Sequence, residues 1–194
     1  MSEPDPPNAA VSPWETARWR SPASTGCCRR LGKESQPCEK SVPLISVRIA
    51  VAAERQHVVA IRENAFRSVR QVYTLLETSS ATTDEQVDAV ASIEGGDVGV
   101  ISFNTDGALL RITGLGVLPK FRRRGVASRL LRFAERVAEE RECRTLALFT
   151  IRETGNIEVF RRLGFVVVGE QRADWCKSDR FDALCEVEMR RPVG

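Results

Sequence analysis

Metal chemistry has little to build on in this chain. It holds one histidine, His57, and none of its six cysteines (Cys27, Cys28, Cys38, Cys143, Cys176 and Cys185) forms a Cys-x-x-Cys pair. A zinc site therefore lacks the usual ligand spacing, and no metal is expected. The thiols are expected to be free, with Cys143 and Cys185 packing as small core residues in apolar contexts. No run approaches the roughly 20 apolar residues that cross a bilayer. The opening MSEPDPPNAAVSPWE lacks the basic start and the apolar run of about 7–15 residues that make a secretory signal. A cytoplasmic protein with no membrane partner is expected. A net charge of +3 over 194 residues is too small for wholesale binding of nucleic acid.

What is present suits a soluble globular chain, with 42% hydrophobic and 28% charged residues, enough for one ordinary domain. Seven of the nine prolines fall in residues 1–43, with no sustained hydrophobic period. Such a segment cannot bury enough apolar surface to offset its ordering entropy. Residues 1–42 are thus read as a disordered tail carrying Trp14 and Trp19, and residues 43–194 as the folded domain.

The domain opens on LISVRIAV, an alternating run rich in β-branched residues that reads as a strand. Residues 53–76 place Val58, Ile61, Ala65, Val69, Val72 and Leu76 at helical spacing, predicting one or two helices. SSATTD is a polar break. Strands are predicted over 86–93, 98–103 and 108–117, joined by the Gly/Asp turns EGGD and NTDG into an antiparallel meander. A long helix is predicted over 125–141, a buried strand over 145–150, and a short helix over 156–163 that Gly164 stops. Strands over 165–169 and 183–189 flank a polar loop and complete the order. The pattern predicts an α/β (α+β) fold: a mixed sheet of about 6–7 strands flanked by about four helices.

The chemistry concentrates in LGVLPKFRRRGVASRLL, residues 115–131. A strand end, a proline, a basic turn and a glycine lead into a helix start. Such a helix offers unpaired N–H groups and a partial positive charge, a ready anion site. Gly125 and Ala127 let a phosphate approach the backbone. Arg122, Arg123 and Arg124 add a positive field and can grip phosphate through two parallel bonds. The bland reading is a turn glycine beside solvated arginines, and KFRRR alone also suits nucleic acid. Gly114 and Gly116 point separately to a bulge or a close backbone approach.

Leu115-Gly116-Val117-x-Pro119 followed by Arg122-x-x-Gly125-x-Ala127 resembles the acetyl-CoA-binding motif of the GNAT superfamily of N-acetyltransferases. Asn156 with Phe160-Arg161-Arg162-Leu163-Gly164-Phe165, one helix and one strand later, resembles that family's second motif. The resemblance covers about residues 44–190. It implies a bulged strand over 108–117 that splays from 145–150, with the cofactor's pantetheine arm in the gap, paired to backbone groups of Leu115 and Val117 beside Gly116. It further implies that N–H groups of Arg123, Arg124, Gly125, Val126, Ala127 and Ser128 hold the pyrophosphate, and that Asn156 bonds the pantetheine arm. Acetyl-CoA is then the co-substrate, the acceptor is a small-molecule or peptide amine, and the reaction is direct attack on the thioester, with the Val117 N–H as oxyanion donor.

One position departs from the family pattern. Many relatives place a tyrosine where this chain has Phe160, which cannot protonate the leaving thiolate, so the general acid is unassigned. The base is unassigned as well: Glu153 and His57 are candidates that also read as surface residues, and the strand 108–117 offers only Arg111 and Thr113. Acceptor choice is expected from the early helices and from the loop 171–182, which holds Trp175. An acyl-CoA-binding sensor with little catalysis is the alternative reading. The strand 183–189 is a candidate for pairing across a homodimer.

Overall fold

A computed structural model describes residues 44–76 and 86–194. The tail 1–42, Trp14, Trp19, Cys27, Cys28, Cys38, and the break SSATTD lie outside the described residues. The elements are β1 (Ile45–Ile49), α1 (Arg55–Phe66), β2 (Thr74–Leu75), β3 (Val87–Ile93), β4 (Gly96–Asp106) and β5 (Leu109–Val117). Then follow α2 (Val126–Glu140), β6 (Thr145–Ile151), α3 (Asn156–Arg162), β7 (Val166–Arg172), β8 (Cys176–Lys177) and β9 (Cys185–Pro192).

Seven strands form one mixed sheet in the order β1-β3-β4-β5-β6-β9-β7. The meander β3–β4–β5 is antiparallel as expected, and its first turn places Glu94 (φ 51) and Gly95 (φ 82) in the left-handed region, the conformation that a two-residue hairpin favours. The β5–β6 pair is parallel, with α2 as the crossover. Alternation along the central strands divides the core between two faces. Ala89, Ala91, Ile101 and Phe103 meet Val126, Leu130 and Ala134 of α2, while Val90 and Val100 face Val58 and Ile61 of α1. The stripe along α2 thus closes one side of the sheet and the shorter α1 the other.

Three expectations are corrected. Of the one or two early helices expected, one forms, and the helical spacing does not carry through to residue 76: after α1 a single 3₁₀ turn, Val69–Gln71, leads into β2. Val69, Val72 and Thr74 are β-branched and stiff at χ1, which weakens helix and favours strand. The described residues hold three α-helices and four short 3₁₀ turns. The polar loop 171–182 is partly strand, because β7 runs to Arg172 and β8 pairs with β2. Lastly, β9 lies between β6 and β7, hydrogen-bonded on both sides, so the terminal strand has no free edge for a dimer. Among the described residues no helix is long and apolar enough to cross a membrane.

Candidate functional site

The β5–β6 pairing is short. It runs from Leu109↔Thr145 to Ile112↔Leu148, after which the two strands part. β6 stays paired to β9 as far as Ile151↔Glu186, and β5 stays paired to β4 as far as Val117↔Gly99. The divergence starts at a bulge. Ser102 opposes Gly114 and Phe103 opposes Ile112, which leaves Thr113 without a partner across the ladder. An extra residue on one strand bends it and increases its twist. Residues 113–117 of β5 therefore present an open edge to the gap.

The phase of the ladder fixes which backbone groups line that edge. The Leu118 N–H donates to the Val98 carbonyl (2.9 Å), so Val117↔Gly99 is a non-hydrogen-bonded pair, and alternation makes Leu115↔Ile101 another. The N–H and C=O groups of Leu115 and Val117 point away from β4, into the gap. Gly116 between them pairs with Val100, and its Cα presses against α1: a Cβ there would stand 2.8 Å from the Ala65 Cβ. Glycine at 116 thus lets α1 approach β5 closely, while a Cβ at Gly114 would meet the Phe66 ring only at ordinary contact distance, 3.8 Å.

Beyond Val117 the chain makes the 3₁₀ turn Pro119–Phe121, then enters the left-handed region at Arg123 (φ 61) and again at Gly125 (φ 82) before α2 starts. The first intrahelical donor is the Arg129 N–H, to the Gly125 carbonyl (3.0 Å). The N–H groups of Val126, Ala127 and Ser128 consequently have no partner within the helix. No acidic residue stands in the first turn of α2 and no side chain caps it, so the partial positive charge of that helix end is uncompensated. A Cβ at Gly125 would meet nothing within 4 Å; glycine is required there by backbone conformation rather than by space.

The three arginines differ. Arg122 donates from Nε to the Val117 carbonyl (3.1 Å) and from Nη2 to the Ala65 carbonyl (2.9 Å). Its guanidinium therefore ties the turn to β5 and α1, a positioning task that sequence alone did not reveal. Arg124 lies over the Phe121 ring (5.5 Å), and the Arg123 and Arg124 side chains are exposed. Asn156 is the first residue of α3, half-buried, with its N–H donating to the Thr154 hydroxyl (3.3 Å). Because β5 and β6 are parallel, the turn after one and the Asn156 region after the other stand at the same end of the gap.

A cavity of about 260 Å³ opens where the strands part. Thr113 of β5 and Phe149, Thr150 and Ile151 of β6 line it, all just past the last β5–β6 pair. Tyr73, Trp175, Arg111 and Glu186 complete the wall. Tyr73 and Trp175 flank the β2–β8 pair, their rings edge to face at 5.8 Å. The Trp175 indole donates to Glu186 Oε1 (3.2 Å), and the Gln171 amide donates to Glu186 Oε2 (2.7 Å). Burial pushes the Tyr73 phenol above its ordinary range, with Cys176 and Glu186 adding to the rise and Arg70 opposing it. Burial likewise raises the Cys176 thiol, reinforced by Glu186 and Glu153.

The sequence gives no reason to single out Glu186, and it offers no basis for a role for Tyr73, the chain's one tyrosine. Tyr73 sits in a run with helical spacing, and Glu186 alternates with the buried Val187 and Met189 as any solvated strand residue would. The earlier base candidates stand elsewhere. His57 Nε2 is 3.1 Å from Asp97 Oδ2, in a surface network with Arg48, and Glu153 Oε2 accepts the Cys185 N–H (3.2 Å). Phe160 packs against the core with its ring edge-on to Phe165 (6.0 Å).

Residues 56–165 match the acetyltransferase (GNAT) family. Among curated proteins none matches the chain. Solved structures share its fold. A nourseothricin acetyltransferase is 18% identical with a TM-score of 0.60, over 77% of this chain and 99% of its own. A protein of Bacillus anthracis assigned as a streptothricin acetyltransferase, solved in complex with acetyl coenzyme A, is 14% identical with a TM-score of 0.59, over 77% and 99%. The ribosomal-protein-S18-alanine N-acetyltransferase of Escherichia coli is 13% identical with a TM-score of 0.59, over 78% and 95%.

Proposed function

The chain belongs to the acetyltransferase (GNAT) family, and on that premise we propose that residues 43–194 transfer an acetyl group from acetyl-CoA to a primary amine by direct attack. One observation carries the reading: the open edge of β5 runs straight into a left-handed turn at the uncapped start of α2. That arrangement suits a long ligand with an amide-bearing arm and a pyrophosphate. N–H groups from Arg123 through Ser128 converge on the anion, and Arg123 and Arg124 add charge. Leu115 and Val117 offer ladder groups to the arm, and Asn156 stands at the same end of the gap. The relative solved with acetyl coenzyme A supports this choice of donor.

In the reaction, the neutral amine nitrogen forms a bond to the thioester carbon and the carbon–sulfur bond breaks, with the pair leaving on sulfur. The Val117 N–H faces the gap and is the donor placed to meet the developing oxyanion; one such donor contributes about 10²–10³-fold in rate. Phe160 holds no proton to give. A thiol with an ordinary pKa of about 8.5 leaves without a dedicated acid, so catalysis rests on positioning and on the oxyanion contact. The sensor reading, which Phe160 favours, gives no reason for a cavity at the gap walled by aromatic rings and Glu186, whereas a transferase needs a place for its acceptor.

The relatives' names give acceptors of two unlike kinds, streptothricin-class antibiotics and the alanine of a ribosomal protein, so the fold alone does not choose between them. The test is release of CoA thiol from acetyl-CoA by the full chain across a panel of amines and peptides, beside Gly125→Glu. Amine-dependent release that the variant loses is expected. Failure of the wild-type chain to bind CoA overturns the reading.

A further inference from the structure

The cavity beside the gap is walled by aromatic rings around one carboxylate. Tyr73, Trp175 and Phe149 supply the rings, and Glu186 stands among them. Ring faces attract cations, more strongly when water is excluded. A carboxylate has about four acceptor positions, and each Glu186 oxygen already accepts one bond, from Trp175 and from Gln171. Those donors hold the carboxylate in place and leave a position on each oxygen for an incoming N–H.

The other charged groups near Glu186 are engaged or opposed in sign. Arg111 on the facing wall is paired with Asp106 (2.7 Å) and lies over the Phe149 ring (5.4 Å). On the β7 side Arg172 is paired with Asp174, and Gln171 is neutral. Glu153 is bonded to the Cys185 N–H. Arg70 and the Tyr73 phenol lie on the β2 side, and the Cys176 thiol is buried in β8. Arg111 disfavours a second positive charge deeper in the cavity, so the site favours a monocation on a small apolar body.

Building on the transferase reading above, we propose that this cavity is the acceptor site for a monocationic primary amine, and that Glu186 both anchors the ammonium and accepts its proton. The balance is complete. The ammonium gives one proton to the Glu186 carboxylate and becomes the neutral nucleophile. After attack, the nitrogen loses its second proton as the thiolate leaves, and CoA departs as the thiol. Glu186 returns its proton to solvent.

The test uses the full chain with CoA bound, so that no turnover occurs, and two probes of one shape, 3-methylbutylamine and 3-methylbutan-1-ol. Each is titrated against the indole N–H resonance of Trp175, assigned by its loss in Trp175→Phe. The amine is expected to bind at least tenfold tighter than the alcohol, and Glu186→Gln is expected to abolish that preference while CoA affinity stays unchanged. With acetyl-CoA and the amine, kcat/KM of the wild type is expected to stay level from pH 7 to 9, because the carboxylate–ammonium pair carries the required net protonation throughout. Glu186→Gln must draw on free neutral amine, so its kcat/KM falls about 10²–10⁴-fold near pH 7 and rises about tenfold per pH unit toward the amine pKa of about 10.4. Equal affinity for the two probes, no turnover of the amine, or parallel pH profiles for wild type and variant overturn the assignment of Glu186. Loss of CoA binding by the wild type instead overturns the transferase reading itself.

Discussion

Gly116 offers a test of why β5 and α1 sit where they do. A Cβ added there would stand 2.8 Å from the Ala65 Cβ and 3.6 Å from two atoms of the Phe66 ring. Carbon atoms of different residues normally approach to about 3.5–4.0 Å, so something must move by several tenths of an ångström. Neither side moves freely. Val58 and Ile61 seat α1 against Val90 and Val100, Arg122 ties the Ala65 carbonyl to the turn, and β5 is held in its ladder by β4. Overpacking of this kind costs about 1–3 kcal/mol. The φ of Gly116 is not positive, so without the clash the same change would gain about 0.4–1 kcal/mol by restricting the unfolded chain. Ala65 thus decides the sign.

Gly116→Ala is therefore expected to lower stability by about 1–3 kcal/mol, or roughly 2–4 °C in Tm for each kcal/mol at this chain length. Ala65→Gly removes the opposing Cβ. Alone it costs about 1 kcal/mol in helix propensity plus the loss of a buried methyl worth about 0.8 kcal/mol. In the double variant the clash disappears, so the two changes should cost less together than the sum of the singles, by about 1–2 kcal/mol, within the range for residues in contact. Urea unfolding of the four proteins measures the cycle. Additive costs, or a Gly116→Ala protein as stable as the wild type, would refute the claim that α1 dictates glycine at this position.

Three further outcomes are expected. Gly125→Ala, forced into φ 82 with open space around its Cβ, should lose only about 1–2 kcal/mol by urea unfolding, whereas Gly125→Glu should in addition lose CoA affinity in a direct binding measurement. Phe160→Tyr should change kcat by less than about tenfold, because thiol departure does not await an acid; a rise of about 10²–10⁴-fold would show that protonation limits the reaction. The Arg48 guanidinium and the Val51 N–H hold the Glu54 carboxyl down to about 2, below its ordinary value. Its contribution to stability is therefore present above about pH 4.5 and lost as pH falls toward about 2. The Tm deficit of Glu54→Gln relative to wild type should accordingly be largest at neutral pH and close over that interval.

Legibility followed the range of the cause. The turn 119–125 was readable because its determinants are local: a proline at its start, a glycine in the left-handed region, and a helix with an empty first turn. The meander was readable from period-two alternation and two Gly-containing turns. Helical spacing over 69–76 misled because spacing says nothing of χ1 freedom, and Val69, Val72 and Thr74 resist helix. The glycine at 116 did mark a close approach, but which element approached depended on how α1 folds back over the sheet. Arg122 looked like its two neighbours in KFRRR until the fold set the carbonyls of Val117 and Ala65 within its reach.

The acceptor cavity was the least legible part because no single segment encodes it. Tyr73 arrives through the β2–β8 pair, Glu186 through the insertion of β9 between β6 and β7, and Thr113 through a bulge set by its register with β4. In sequence each is unremarkable: a tyrosine in a helical period, a glutamate on the polar phase of a strand, a threonine among glycines. A turn that exposes backbone N–H groups at a helix start can be written in a short run of consecutive residues, because its determinants are local. An acceptor pocket is instead a meeting of loop and strand ends, where a family can vary its substrate without disturbing the turn. It follows that substitutions at Tyr73, Trp175 or Glu186 should alter the amine preference while CoA affinity holds, and that substitutions at Gly125 should do the reverse.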